Sequence, residues 1–208
     1  MTVQWAVVIE IDSGSVRKFA ETNTRVVLAM PCGPVGPHVI WNALEAAPST
    51  TVVGLEAFGL YASQSGVADG ALLHVQSEMP AVESAIVYQF QRRAFSWDHP
   101  PRRVPAGHYG VTNLEVHAQT FGLLQGGTVN GQYFRAPINA VVLPREMTAD
   151  FVPSSAVYLW TQRRAQRGTI MVEMPGNATV VSFVPDVRER AVHFDPATAR
   201  FVPSDAAE

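Results

Sequence analysis

Short apolar runs with a period of two residues recur along this chain, and proline or glycine ends most of them. In residues 2–12, large apolar side chains alternate with Gln4, Glu10 and Asp12. Successive side chains of a strand point to opposite faces of a sheet, so this alternation predicts a half-buried β-strand. The chain contains 15 glycines and 15 prolines, which interrupt regular structure. We therefore expect many short strands joined by turns.

Further strands are predicted wherever apolar runs are bounded by turn residues. Residues 31–37, with three prolines and two glycines, form the clearest break between them. Residues 13–15, Ser-Gly-Ser, predict a turn after the first strand. The predicted strands after the first are 25–30, 51–63, 70–79, 82–97, 111–125, 128–129, 133–134, 138–143, 156–161, 169–174, 178–184, 191–194 and 200–202.

One short helix is predicted at residues 38–47. Its apolar side chains follow the helical spacing of three and four residues, and they are Val39, Ile40, Ala43, Leu44 and Ala47. No other segment of the sequence predicts a substantial helix.

Four hairpins are predicted from turn residues. Asn130-Gly131 is the strongest signal, because both residues tolerate positive φ. The others are placed around Pro80, at residues 175–177 and at residues 195–199.

About ten or more short antiparallel strands, with one short helix near residues 38–47, predict a mainly β fold. A sandwich, a jelly roll or a partly closed barrel would each satisfy the pattern. No repeat, charge run or flexible linker divides the chain, so residues 1–208 are expected to form a single β-rich domain. The alternative is an internal division at the Pro-rich loop 98–107.

The charge of the chain is low and nearly balanced. Charged residues make up 16% of the sequence, against roughly 25% in an average soluble protein, and the net charge is -3. The counterion release that drives nucleic-acid binding needs a basic excess, so no nucleic-acid partner is expected. The clustered arginines, 92–93, 102–103 and 163–167, are expected to form salt-bridged rims.

Cys32 is the single cysteine, so no internal disulfide is expected. The first residues lack a signal-peptide pattern, and no apolar run reaches the roughly 18 residues of a membrane helix. We therefore expect a cytoplasmic protein, or one assembled in a virion, that is neither secreted through a signal peptide nor bound to a membrane. A Cys32–His38 nucleophile pair is conceivable, but an inert cysteine is favoured.

The strongest local pattern for chemistry is Glu115-Val116-His117, because alternation places Glu115 and His117 on one strand face. His108 lies shortly before them. Together the three side chains could bind a first-row transition metal with an open coordination position. The spacing distantly resembles that of the cupin family, although the His-x-His core and the second-motif histidine are absent. The resemblance implies a metal-dependent barrel enzyme; without it, no cofactor is expected.

The four tryptophans offer another interpretation. Trp5, Trp41, Trp97 and Trp160 each lie in an apolar context, which predicts burial in the core. The alternative is that some of them form an aromatic platform for sugars.

Three functions of different classes remain open. The favoured hypothesis is a self-assembling structural β-domain, such as a capsid, decoration or tail component of a bacterial virus, and it predicts homo-oligomers or a larger protein assembly. The second is a cupin-like metal-dependent enzyme acting on a small molecule. The third is a ligand-binding or interaction module that uses an aromatic groove.

Overall fold

The computed structural model describes residues 4–33, 38–184 and 186–204. Within these ranges it contains one helix, α1 (Ser13–Thr22), and seventeen strands. The strands are β1 (Gln4–Glu10), β2 (Thr24–Ala29), β3 (His38–Glu45), β4 (Ser49–Ser63), β5 (Ser77–Met79), β6 (Ile86–Gln91), β7 (Ala94–Ser96), β8 (Tyr109–Asn113), β9 (Gln119–Val129), β10 (Gln132–Pro137), β11 (Val141–Leu143), β12 (Thr148–Phe151), β13 (Ala156–Arg163), β14 (Ile170–Met171), β15 (Thr179–Ser182), β16 (Glu189–Asp195) and β17 (Arg200–Pro203).

The strands form three sheets. The largest has eight strands, with β10-β9-β4-β1-β16-β17 as its main order, β11 beside β9 and β5 beside β4. A second sheet has the order β12-β8-β6-β7, and a third has the order β14-β3-β2-β13-β15. In the part of the chain that is described, the sheets are open and do not close into a barrel. The predicted mainly β class is confirmed, in a form consistent with a sandwich.

Two strand pairs depart from the expected antiparallel arrangement. Strand β1 pairs in parallel with β16, and β6 pairs in parallel with β8. Parallel neighbours need a crossover connection, which local turn signals do not reveal. Both arrangements are therefore decided by tertiary structure.

The largest core cluster contains residues of all three sheets and combines aromatic with branched aliphatic side chains. Trp5 stacks on Phe183 with ring centroids 4.7 Å apart, and it also contacts Trp41. The cluster includes residues from both sides of loop 98–107, such as Phe90 and Phe121. Whether the chain forms one domain or divides at that loop stays a prediction.

The helix predicted at residues 38–47 is wrong, because His38–Glu45 form β3. This strand lies between β2 and β14 within its sheet. Val39, Ile40 and Trp41 are fully buried and belong to three different core clusters. Since both faces of the strand are covered, its apolar residues show no period of two and imitate helical spacing.

Helix α1, Ser13–Thr22, replaces the turn predicted at residues 13–15. The Asp12 carboxylate accepts two backbone N–H groups of the first turn, at 2.9 and 3.0 Å. Asn23 ends the helix with a left-handed φ of 50°. Short polar residues are favoured in helix caps as well as in turns, so residues 12–15 are compatible with either structure.

Two of the four predicted hairpins are confirmed. Asn130-Gly131 connects β9 with β10, and residues 196–199 connect β16 with β17. The hairpin around Pro80 is wrong because β5 pairs with β4. The hairpin at 175–177 is also wrong, since β14 pairs with β3 and β15 with β13.

Some sequence predictions fall partly outside the described residues. These are the beginning of the first strand at residues 2–3 and most of the Pro/Gly break, at residues 34–37.

Candidate functional site

The three predicted metal ligands lie in two different environments. Glu115 and His117 follow β8 and line the same cleft, which His108 does not line. His108 instead contacts Asp150, with its Nδ1 2.8 Å from a carboxylate oxygen. Among the residues that the structure describes, no three His, Cys, Asp or Glu side chains form a group suited to a metal ion. The described residues therefore add no support for the metal site, and metal binding stays a prediction.

Residues 115–117 form a bend rather than a continuation of the strand, which ends at Asn113. The buried Asn113 side chain shapes this bend. Its amide N–H donates to the carbonyls of His117 and Leu143, and its oxygen accepts the backbone N–H of Glu115. The side-chain alternation assumed for Glu115 and His117 is therefore absent, and their shared cleft arises from the loop.

We call this cavity the Arg93 cleft; its volume is about 530 Å³. It lies where the end of β4, the start of β5, the β6–β7 turn and the loop after β8 come together. Phe90 and Ala62 contribute buried apolar surface. Most of the remaining lining is polar, and its main side chains are Gln64, Gln76, Arg93, Glu115, His117 and Gln119.

The tryptophan prediction is confirmed for three residues and wrong for the fourth. Trp5, Trp41 and Trp160 are at most 1% exposed, whereas Trp97 is 41% exposed. Trp97 has apolar neighbours in the sequence. In the structure it follows the short edge strand β7 and precedes the Pro-rich loop. Its exposure is thus decided by its place at the end of a sheet edge.

Trp97 lies in a groove of about 410 Å³, which we call the Trp97 groove. Its ring packs edge-to-face with Tyr88, at 5.8 Å between centroids, and with His99 at 5.9 Å. The Tyr88 hydroxyl accepts the backbone N–H of Glu83 at 2.8 Å. The groove combines apolar and charged side chains, among them Ile86, Tyr88, Trp97, Pro101, Glu83 and Arg103.

The Trp97 groove and the Arg93 cleft lie along the same face of β6. Ile86 and Tyr88 line the groove, and Phe90 lines the cleft. Alternate residues of a strand share a face, so these three side chains lie on the same side of β6. The sequence did not reveal that this face would border two cavities.

Among the described residues, the clustered arginines form none of the expected salt bridges. Within the described ranges, the salt bridges of arginine involve Arg25, Arg145 and Arg188 instead. Arg167 donates two hydrogen bonds to the Asn42 side chain, and Arg163 donates to a backbone carbonyl. Local clustering in sequence gave no information on which arginines meet a carboxylate.

Cys32 offers no activated nucleophile. Burial raises the pKa of its thiol to about 12, so the thiol stays protonated near neutral pH. The side chain of His38, its conceivable partner, lies outside the described residues.

No known protein family, curated protein or solved structure matches this chain. None of the structure's helices, as far as its residues are described, is long and apolar enough to cross a membrane. The hypotheses of self-assembly and of metal-dependent catalysis both stay predictions.

Proposed function

We propose that this protein is a carbohydrate-binding module and that the Trp97 groove holds the sugar. The single observation that carries this proposal is the exposure of Trp97, 41%, in a chain whose other three tryptophans are buried. Leaving a large aromatic ring in water forfeits the free energy of its burial, and such rings are common where a ligand covers them.

Sugars present an apolar C–H face and a rim of hydroxyl groups. The indole of Trp97 offers a flat apolar surface for the first, in a groove large enough for a small ligand. Hydroxyl groups both donate and accept hydrogen bonds, and the groove supplies Glu83 as an acceptor and Arg103 as a donor. Neither of these side chains forms an ion pair within the described part of the chain, so both are available to a ligand.

The groove is also held in place before a ligand arrives. The Glu83 backbone fixes the Tyr88 hydroxyl by a hydrogen bond of 2.8 Å, and the Tyr88 ring supports Trp97. Tyr88 is itself only 3% exposed, so it positions Trp97 and offers little surface of its own. A preformed platform reduces the ordering cost of binding.

The experiment is a glycan screen followed by calorimetric titration of the best ligand. Trp97→Ala should weaken binding by about tenfold or more, and Trp97→Phe should retain part of the affinity because a smaller aromatic face remains. Tyr133→Ala is the matched control, since Tyr133 is another exposed aromatic side chain, 59% accessible, that does not line the groove. Its affinity should equal that of the wild type.

Two outcomes would contradict the proposal. One is the absence of binding to every glycan in a broad screen. The other is a glycan whose affinity is the same in the wild type and in Trp97→Ala. In the wild type, sugar binding should also change the fluorescence of the exposed indole and protect it from a soluble quencher.

A further inference from the structure

The turn between β6 and β7 uses residues that this backbone conformation disfavours. Gln91 pairs with Ala94, so Arg92 and Arg93 form a two-residue turn, with φ values of 52° and 60°. Two positive φ values are the pattern of a type I′ turn, which favours asparagine and glycine because other side chains are strained there. Strained residues of this kind are concentrated at ligand sites.

The same chain contains the favoured version of this turn. Asn130 and Gly131 connect β9 with β10, with φ values of 47° and 83°. The Asn130 side chain also accepts the backbone N–H of Thr51 at 2.9 Å. The turn at Arg92-Arg93 therefore has the same backbone conformation as the turn at Asn130-Gly131 but carries disfavoured residues.

Two other segments hold the backbone of Arg93 in this strained position. Its N–H donates to Glu115 Oε1 at 2.7 Å, and its carbonyl accepts the hydroxyl of Ser77 at 3.0 Å. Ser77 begins β5 and Glu115 lies in the loop after β8, so the residue is fixed from two sides. Such support places the start of the side chain accurately at the edge of the Arg93 cleft.

The guanidinium group of Arg93 has no partner among the described residues. Within residues 4–33, 38–184 and 186–204, it forms no hydrogen bond or ion pair. A guanidinium presents its N–H groups as a planar fork that matches a carboxylate. Three glutamine side chains of the same cleft, Gln64, Gln76 and Gln119, can donate to or accept from other polar groups of a ligand.

We propose that the Arg93 cleft is a second binding site, for a small molecule with a carboxylate that pairs with the Arg93 guanidinium. The volume of about 530 Å³ suits a ligand of metabolite size. Glu115 and His117 line the same cleft, so hydroxyl or amino groups of the ligand can find partners there. The negative charge of Glu115 favours a single carboxylate over a dianionic phosphate. This site does not depend on the sugar-binding proposal.

The test is calorimetric titration with lactate, glutamine and quinate, each of which carries one carboxylate, with inorganic phosphate for comparison. At least one carboxylate should bind more tightly than phosphate. Arg93→Gln should weaken that binding by about tenfold or more, since a charge-assisted hydrogen-bonded pair is lost, and Arg93→Lys should retain part of it. Glu115→Gln should tighten it, because the amide oxygen can still accept the Arg93 N–H while the repelling charge is removed.

Arg92→Gln is the matched control. Arg92 carries the same charge in the same strained turn but does not line the cleft, so its replacement should leave affinity within about twofold of the wild type. Equal losses in Arg92→Gln and Arg93→Gln would mean a nonspecific charge effect and would overturn the proposal. So would the absence of saturable binding for all three carboxylates, or phosphate binding that equals theirs.

Two further measurements separate this proposal from misfolding and from sugar binding. The unfolding midpoints of Arg92→Gln and Arg93→Gln should be similar, since both change the same turn. Trp97→Ala should leave carboxylate binding unchanged, because Trp97 lines the other cavity. A loss of carboxylate binding in Trp97→Ala would contradict the independence of the two sites.

Discussion

The carboxylate of Glu115 accepts the backbone N–H of Arg93 at 2.7 Å and so ties the loop after β8 to the turn between β6 and β7. These two strands are parallel neighbours, and the bond joins the segments that follow their corresponding ends. Glu115 therefore has a structural contact besides its place in the cleft. The carboxylate that the sequence suggested as a metal ligand therefore also supports a strained turn.

Replacing the strained turn should stabilise the protein and remove the second ligand site. The double variant Arg92→Asn with Arg93→Gly copies the Asn130-Gly131 turn. We expect it to increase the free energy of unfolding by about 1 kcal/mol, because both new residues tolerate positive φ. Denaturant titration measures the gain, and carboxylate titration should show binding at least as weak as in Arg93→Gln. A destabilised double variant would contradict the interpretation of strain.

Cys32 should resist thiol reagents in the folded protein. Burial raises its pKa to about 12, so almost no reactive thiolate exists at about pH 8. A chromogenic disulfide reagent should react slowly under native conditions and rapidly in denaturant. Because the folded pKa is raised, the stability gained from the neutral thiol is complete below the unfolded pKa and falls as the pH rises towards 12. Rapid native labelling near neutral pH would disprove the inert assignment.

The helix cap at Asp12 should make stability depend on acid pH. Hydrogen bonds from Ser15, first from its side chain and then from its backbone N–H, lower the pKa of Asp12 below its usual value of 3.8. The contribution of the carboxylate is therefore present above that value and is lost as the pH falls through the folded pKa. Asp12→Ala should lower the thermal midpoint at neutral pH, whereas Asp12→Asn should retain most of the cap.

The difference between the wild type and Asp12→Ala should shrink in acid, and thermal melts at a series of pH values would measure it. A difference that stays constant down to strongly acid pH would show that the negative charge of Asp12 contributes nothing to the cap.

Arg167 should stabilise the fold through two contacts. Its guanidinium donates to Asn42 Oδ1 at 2.9 and 3.2 Å and lies 4.8 Å from the ring centre of Phe134. Asn42 is 2% exposed, so its oxygen depends on protein partners. Arg167→Ala should reduce the free energy of unfolding by about 1–3 kcal/mol, and Arg167→Lys by less, since a lysine keeps the charge near the ring.

Denaturant titration measures both Arg167 variants. Arg164→Ala is the control, because Arg164 is an exposed neighbour whose side chain has no hydrogen bond among the described residues. If Arg164→Ala and Arg167→Ala reduced the free energy of unfolding equally, the contacts of Arg167 with Asn42 and Phe134 would not be the cause of the loss.

Sequence reasoning predicted the strands best where one face is buried and the other is exposed. Strand β1 shows this clearly, since its alternating burial matches the alternating residue types. It failed at β3, where neighbours cover both faces and the period of two disappears. It also failed at α1, because the capping residues of a short helix are the same residues that form turns.

The candidate site was predictable only in part. Glu115 and His117 were identified as chemically notable, and they share a cleft, but the residue that makes the cleft distinctive is Arg93. A possible signal was available: an arginine pair between two strands, where asparagine and glycine are favoured. It could not be interpreted before the pairing of Gln91 with Ala94 showed that a two-residue turn lies there.

The sequence by itself determined the mainly β class, the Asn130-Gly131 hairpin and the alternating burial of β1, because these depend on residues near one another in the chain. Tertiary structure decided the parallel pairs, the covering of β3, the exposure of Trp97 and the support of Arg93 by Ser77 and Glu115. Each of these depends on which distant segments become neighbours. That choice is made by the packing of whole sheets, and no local pattern of residue types contains it.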